Sequence, residues 1–332
     1  MNKKGLLIIN LGTPAGSDTK AVRHYLATFL SDKRVIDLPF VFRYLLLYLF
    51  ILPFRPKKSA HAYQAIWTDQ GSPLLCNSEA LLDKLRIRLQ ETHDVALGMR
   101  YGEPSLDKAL TSLEHCDELT ILPLYPQYSS AATGSSIEAV LRYLAPRQVF
   151  PHLHIIRDFY TNDGFIQAQA EFIKPHIQTH DYFLFSYHGL PENQIKKSGC
   201  LSLCKTACPP QKNTSCYRAQ CYATTTALVT ALDLPEQITE TAFQSRLGRT
   251  PWIKPYTDEV LTRLAANGIK KLAICCPSFV ADCLETLEEI GMQAHEQWRA
   301  LGGETLTLIP CVNASNAFVD AISGLLDSKK HN

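Results

Sequence analysis

Six short, nearly uninterrupted apolar runs constrain this chain more than any other feature. The first is Gly5-Leu-Leu-Ile-Ile-Asn-Leu-Gly12, and runs of similar character recur at 95–99, 119–124, 182–187, 272–276 and 306–309. A strand wetted on one face alternates apolar with polar residues. A continuous run instead suits a parallel sheet covered by helices on both faces. Helix-like stretches lie between the runs. Residues 78–92 carry Leu81, Leu82, Leu85 and Leu89 at helical spacing, and 164–177 and 257–267 read the same way, the last ending at Asn267-Gly268. This alternation predicts an α/β fold of right-handed βαβ units with open parallel sheets. At 332 residues the chain accommodates two such domains. The rhythm places them at 1–157 and 158–312, with a last helix, 314–326 within 313–328, able to pack back on the first half.

Charge and composition narrow the function classes. Thirty-three basic against 32 acidic residues give a net charge of +1, which offers no electrostatic footing for nucleic acid. With 46% hydrophobic residues the chain can bury a real core. The longest apolar stretch, 44–54, has 11 residues and contains Pro53, short of a spanning helix. Met1-Asn2-Lys3-Lys4 leads at once into the first strand, a poor secretory signal, so a cytoplasmic protein is expected. The 11 cysteines are odd in number, and five lie between Cys200 and Cys221. Without an export signal they argue for metal or cluster binding rather than disulfides.

Ligands of open parallel sheets bind beyond the carboxyl ends of the strands, and there the polar residues gather. Phe185-Ser-Tyr-His-Gly-Leu-Pro191 puts His188 at a strand tip, either as a simple strand-end histidine or as a base or metal ligand. Pro277-Ser-Phe-Val-Ala-Asp-Cys-Leu-Glu285 opens a helix after the 272–276 run; Asp282 and Glu285 read equally as a capping box or as a site carboxylate. An imidazole and a carboxylate together suit a borderline ion such as Fe²⁺. Residues 241–252, with Ser245, Arg246 and Trp252, could hold a flat anionic ligand or form a surface turn. Gly71-Ser-Pro-Leu74 and the stretch 126–136 read as turns.

In order and spacing, a set of short motifs resembles the ferrochelatase family. They are Asn10-Leu-Gly-Thr-Pro14, Gly71-Ser-Pro-Leu74, Met99-Arg-Tyr101, Leu124-Tyr-Pro-Gln-Tyr-Ser129, Thr133-Gly-Ser-Ser136, Phe185–Pro191, Phe243-Gln-Ser-Arg246 and Phe279-Val-Ala-Asp-Cys-Leu-Glu-Thr-Leu-Glu-Glu-Ile290. The resemblance runs from about residue 4 to 325 and is nearest the Gram-negative branch, where Cys283 stands in a place other branches give to histidine. It implies two Rossmann-like domains of the chelatase fold with a porphyrin cleft between them. It also implies His188 and Glu285 as the catalytic and iron-handling pair, and Fe²⁺ and protoporphyrin IX as substrates. Leu11, Arg100, Tyr101, Tyr128, Ser245 and Trp252 fall on positions that line the cleft or meet propionates. The apolar segment 38–54, with Leu46 and Phe50, matches the lip over the active-site mouth, able to meet porphyrin or a membrane surface. A monomer or homodimer is expected.

One segment departs from most of the family. About a dozen extra residues within 198–219 bring Cys200, Cys204, Cys208 and Cys216, while Cys221 suits the cysteine common to relatives. Four soft thiolates fit an iron–sulfur centre or zinc. Some family members carry a [2Fe–2S] cluster, so the resemblance favours that cluster on these four cysteines, with structural zinc as the alternative.

Overall fold

The computed structural model describes residues 3–200, 203–204, 208, 215–248 and 250–327. It contains two four-stranded sheets, each wholly parallel. The strands are β1 (Lys4–Asn10), β2 (His93–Met99), β3 (Glu118–Pro123), β4 (His152–Ile155), β5 (Tyr182–His188), β6 (Thr239–Gln244), β7 (Lys271–Cys275) and β8 (Thr305–Leu308). The first sheet runs β2-β1-β3-β4 and the second β6-β5-β7-β8, the same order in both halves. The central strands are sealed on both faces: Leu6, Leu7, Ile8 and Ile9 of β1 and Leu184 of β5 expose nothing. This burial is the physical reason their sequences run apolar without alternation.

The chain divides into two compact units, one of residues 1–125 and 129–158, the other of 126–128 and 159–332. In the first, Leu7, Ile9 and Ile121 meet Leu110, Val140 and Leu144 from the covering helices. In the second, Trp298 sits fully buried among Leu184, Leu261, Ile274 and Ile290. The final helix, Asn316–Asp327, packs on the helix Asp163–Ile173 of its own unit, with Phe318 6.3 Å from Phe165 between ring centroids.

Several local readings need correction. Strands β4 and β6 carry no apolar run: His-Leu-His-Ile is an edge strand left largely exposed, and Thr-Glu-Thr-Ala-Phe-Gln starts polar and buries its last four residues, two of them polar. In Gly71-Ser-Pro-Leu74 only the glycine belongs to a turn, closing 68–71 against Thr68; Pro73 is already the first residue of the helix Pro73–Arg88 behind Ser72. Residues 126–136 likewise run into a helix. Ser129 Oγ accepts from the Ala132 N–H, and the π turn Ser130–Gly134 leads into Ser135–Leu144. The expected capping box at Asp282 and Glu285 lies one residue on, with Cys283 as N-cap and Thr286 as its partner.

The segment 38–54 forms the helix Phe40–Leu45 and the π turn Leu46–Ile51. It is not an ordinary core helix. Phe40, Phe42, Phe50 and Phe54 are 63–75% exposed, while Leu47 and Leu52 anchor the segment. Leu46 is half-buried.

Candidate active site

In the second unit, β5 delivers His188 to the carboxyl edge of its sheet. The residue is held from several sides. Its N–H donates to Ser278 Oγ at 3.0 Å, and its carbonyl accepts from the Tyr217 hydroxyl at 2.8 Å. Ring atom Nδ1 lies 2.6 Å from the Gly189 carbonyl, so it carries the proton and leaves the Nε2 lone pair free. Trp252 and Phe279 stand at 6.4 and 6.3 Å from the imidazole. Gly189 is required here: a Cβ would meet the Gln244 carbonyl at 2.7 Å and the Trp252 ring at 3.2 Å.

Glu285 rides on the short helix Leu284–Leu287, which continues through the π turn Glu289–Ala294 into His295–Ala300. Such π turns widen a helix and are frequent at functional sites. Asp282 braces its start, accepting from the Cys311 N–H, Thr286 Oγ1 and Asn313 Nδ2. Burial, then the charge of Glu285 beside it, pushes the Cys283 thiol well up, so this residue faces the carboxylate as a neutral group.

Sequence reasoning missed Glu289. Burial raises the pKa of its carboxyl against the opposing pull of Ser245 hydrogen bonds and of His188, and Glu285 adds to the rise. His188 and Glu285 are thus each within electrostatic reach of Glu289. Ser245 donates to Glu289 from its N–H at 2.7 Å and its hydroxyl at 2.6 Å, and Gln244 Nε2 links the Glu285 carbonyl at 2.7 Å to Glu289 at 3.3 Å. The readable signal was the spacing of Glu285 and Glu289, four apart on a helix. Glu289 also borders a cavity of about 310 Å³ shared with Arg246, Asp258 and Gln293.

The other expected residues fall out differently. Ser245 is committed to Glu289 rather than free for a ligand. Trp252 is buried beside His188 and donates its indole N–H to the Leu247 carbonyl at 2.9 Å. Tyr128 is half-buried, its N–H given to Gln220 at 2.6 Å. In the first unit, Leu11 is half-buried just beyond β1. Gly12 lets the chain pass against Tyr101; its φ is +105° and a Cβ would overlap the Tyr101 carbonyl. Arg100 Nη2 contacts Asp32 at 2.7 Å, and the Tyr101 hydroxyl donates to the same carboxylate at 2.8 Å. Tyr101 is only 2% exposed, so it supports Arg100 rather than lining a surface.

The insert cysteines form no disulfide among the described residues, Cys208 and Cys216 being buried and Cys200 and Cys204 half-buried. They are gathered. Cys216 caps the helix Tyr217–Ala231; a hydrogen bond from Cys208 and the N–H groups of Ala219 and Arg218 lower its pKa against burial. Cys208 is pushed up by the same bond and by burial. Cys200 is pushed up by burial and by nearby Cys216 and Cys204. Arg218 Nη1 donates to Cys208 Sγ at 2.9 Å. This donor set, with a guanidinium and a helix N-terminus to offset thiolate charge, fits a metal centre. Cys221 is fully buried in the helix that follows.

Two wholly parallel four-stranded sheets are a fold that solved metal chelatases share. The crystal structure of the sirohydrochlorin chelatase SirB from Bacillus subtilis subspecies spizizenii in complex with cobalt shares the fold, with a TM-score of 0.54 at 8% identity over 97% of this chain and 93% of that one. A ferrochelatase family model matches residues 3–330. The chain is 56% identical to a ferrochelatase of Legionella pneumophila (strain Lens) over 98% of this chain and 99% of the relative. It is 49% identical to one of Coxiella burnetii (strain Dugway 5J108-111) over 97% and 92%. The chain belongs to the ferrochelatase family.

Proposed function

We propose that this enzyme inserts Fe²⁺ into protoporphyrin IX, releasing two protons and yielding protohaem, with His188 and Glu285 as its working pair. The observation that carries the reading is the fixed tautomer of His188, whose Nδ1–H is tied to the Gly189 carbonyl while Nε2 stays free. A metal cannot enter the ring until both pyrrole protons leave, and a neutral imidazole at the ring face accepts them one at a time through Nε2, passing the first on before taking the second. Glu285 lends negative charge where the dication crosses. Glu289, whose pKa burial raises, is a better proton acceptor than an exposed carboxylate and carries the proton onward. Leu11 offers no donor atom at its position, and the iron is assigned to His188 and Glu285.

The exposed aromatics of 38–54 support an apolar substrate, or a membrane surface that supplies it, since contiguous exposed apolar residues mark interaction sites. Among the described residues no helix is long and apolar enough to cross a membrane. On this reading the enzyme works in the cytoplasm as a monomer or homodimer, touching the membrane through the lip, with no nucleic-acid partner.

Cys200, Cys204, Cys208 and Cys216 are the residues that would hold a [2Fe–2S] centre. Bound there, such a centre supplies a cross-link that ties the loop to the start of the helix Tyr217–Ala231. Structural zinc is the alternative, but no three of these thiols close within 4.8 Å among the described residues. Four thiolates about 2.3 Å from one tetrahedral ion would stand ~3.8 Å apart.

Anaerobic Fe²⁺ insertion tests the catalytic assignment. His188→Ala abolishes turnover while porphyrin still binds, and Glu285→Gln lowers it at least a hundredfold with the fold intact. Near-normal turnover in both variants would overturn the assignment.

A further inference from the structure

At the opposite, amino end of the first sheet lies a group of side chains that the porphyrin chemistry does not use. Asp94 is the second residue of β2, and His115 and Cys116 close the turn that leads into β3. One carboxylate oxygen, one imidazole nitrogen and the Sγ of Cys116 lie within 4.8 Å of one another, the one such trio among the described residues. We propose that Asp94, His115 and Cys116 form a second metal site, for a borderline divalent transition ion of the zinc, cobalt or ferrous class.

The donor set selects this class. Oxygen, nitrogen and thiolate sulfur together suit zinc-like ions and not the hard, all-oxygen-liking Mg²⁺ or Ca²⁺. Three protein ligands leave a fourth position to water, the pattern of sites that exchange what they bind rather than lock the fold. The surroundings suit an ion reached from solvent. His115 is exposed, Asp94 half-buried, and the Cys116 thiol forms the buried floor. β1 offers Gly5 beside that floor; a side chain there would put its Cβ 3.5 Å from the sulfur.

The present contacts allow uptake without dismantling the turn. His115 Nε2 and Asp94 Oδ2 are 2.7 Å apart, sharing a proton where an ion would sit. Ligands about 2.1 Å from a tetrahedral ion stand ~3.4 Å apart, so the pair must open by under an ångström, and both ends are accessible enough to do so. Lys3 lies on the other carboxylate oxygen, Oδ1, at 3.4 Å, and need not leave. Burial, then the charges of Asp94 and Asp117, pushes the free Cys116 thiol up. A bound dication reverses that balance and deprotonates the thiol. Asp94 and the Cys116 thiolate then offset the two charges of the ion.

Cobalt is the probe. Co²⁺ is titrated into the full-length protein and into Cys116→Ala, and the thiolate-to-cobalt absorption is compared. The insert cysteines contribute equally to both proteins and cancel in the difference. The expected result is a difference spectrum of tetrahedral, thiolate-bound cobalt that saturates at about one equivalent, is displaced by Zn²⁺, and needs at least tenfold more cobalt in His115→Gln. Superimposable titrations of the parent and Cys116→Ala would overturn the site. Because Cys116 is buried, its variant could fail to fold; the exposed His115→Gln then decides, since an unchanged cobalt affinity there means an ordinary ion pair with no metal role.

Discussion

Asp32 shows how much of the first unit's order hangs on one carboxylate. It receives Arg100, the Tyr101 hydroxyl and Ser135 Oγ, and its other oxygen accepts the Arg34 N–H at 2.8 Å. Burial pushes its pKa up, but the hydrogen bonds from Ser135, the Arg34 N–H and Tyr101, with the charge of Arg100, outweigh it and leave the pKa lowered. A carboxylate with a lowered folded-state pKa stabilises the fold above its unfolded pKa, and that contribution is lost as pH falls through the folded value. Asp32→Asn is therefore expected to cost about 1.5–3 kcal/mol near neutral pH, the scale of charge-assisted hydrogen bonds. The gap between parent and variant should shrink below pH ~4. Urea unfolding of both proteins across that range checks the sign. His188 was legible because an apolar run ends on it. Glu289 was not, because its role depends on which groups surround it after folding.

At the scale of elements, the lip separates anchor from surface. Phe50 is 66% exposed and Leu47 fully buried, three residues apart. Phe50→Asp should raise KM for porphyrin severalfold and leave stability within about 0.5 kcal/mol, as for most surface changes. Leu47→Ala should cost about 2–5 kcal/mol, the scale of emptying a core leucine. Steady-state insertion kinetics and thermal melts of the two variants check this opposition; the reverse pattern would mark the exposed aromatics as mere packing. The strands with continuous runs could be read directly, because burial on both faces leaves no polar position. β4 and β6 could not. The largely exposed edge strand β4 needs no apolar run, and β6 buries Thr241 and Gln244 through side-chain hydrogen bonds to partners distant in sequence.

Across the whole molecule, the cysteine insert connects a loop to the second unit's working parts. Cys216 begins the helix whose next residue, Tyr217, donates to the His188 carbonyl, and Arg218 of the same turn reaches Cys208 and the Lys254 carbonyl. On the proposed reading, ligation energy at these thiols would be local folding energy. The purified protein should be reddish-brown with about two irons and two sulfides per chain. Serine at Cys200, Cys204, Cys208 or Cys216 should bleach it and lower its melting temperature. Serine at Cys221, packed inside the helix, should leave the colour unchanged. Iron and sulfide analysis with absorption spectra checks this, and stoichiometric zinc without colour would replace the cluster on the same ligands.

The sequence by itself determined the parallel α/β class, the approximate limits of most strands and of four helices, and the residues at strand tips. These follow from local causes: run length, helical period and turn chemistry act within a few residues. Its motif spacing carried the family resemblance and the prominence of His188, Glu285 and the insert cysteines. Only the tertiary structure decided which of those side chains are free. Tyr101 and Ser245 match cleft positions of the family in the sequence, and the fold shows what the sequence does not, their hydrogen bonds to Asp32 and Glu289. Only the fold brings Asp94 of β2 to His115 and Cys116, some twenty residues on. Burial, charge and hydrogen bonding depend on neighbours in space, and no period along the chain encodes them.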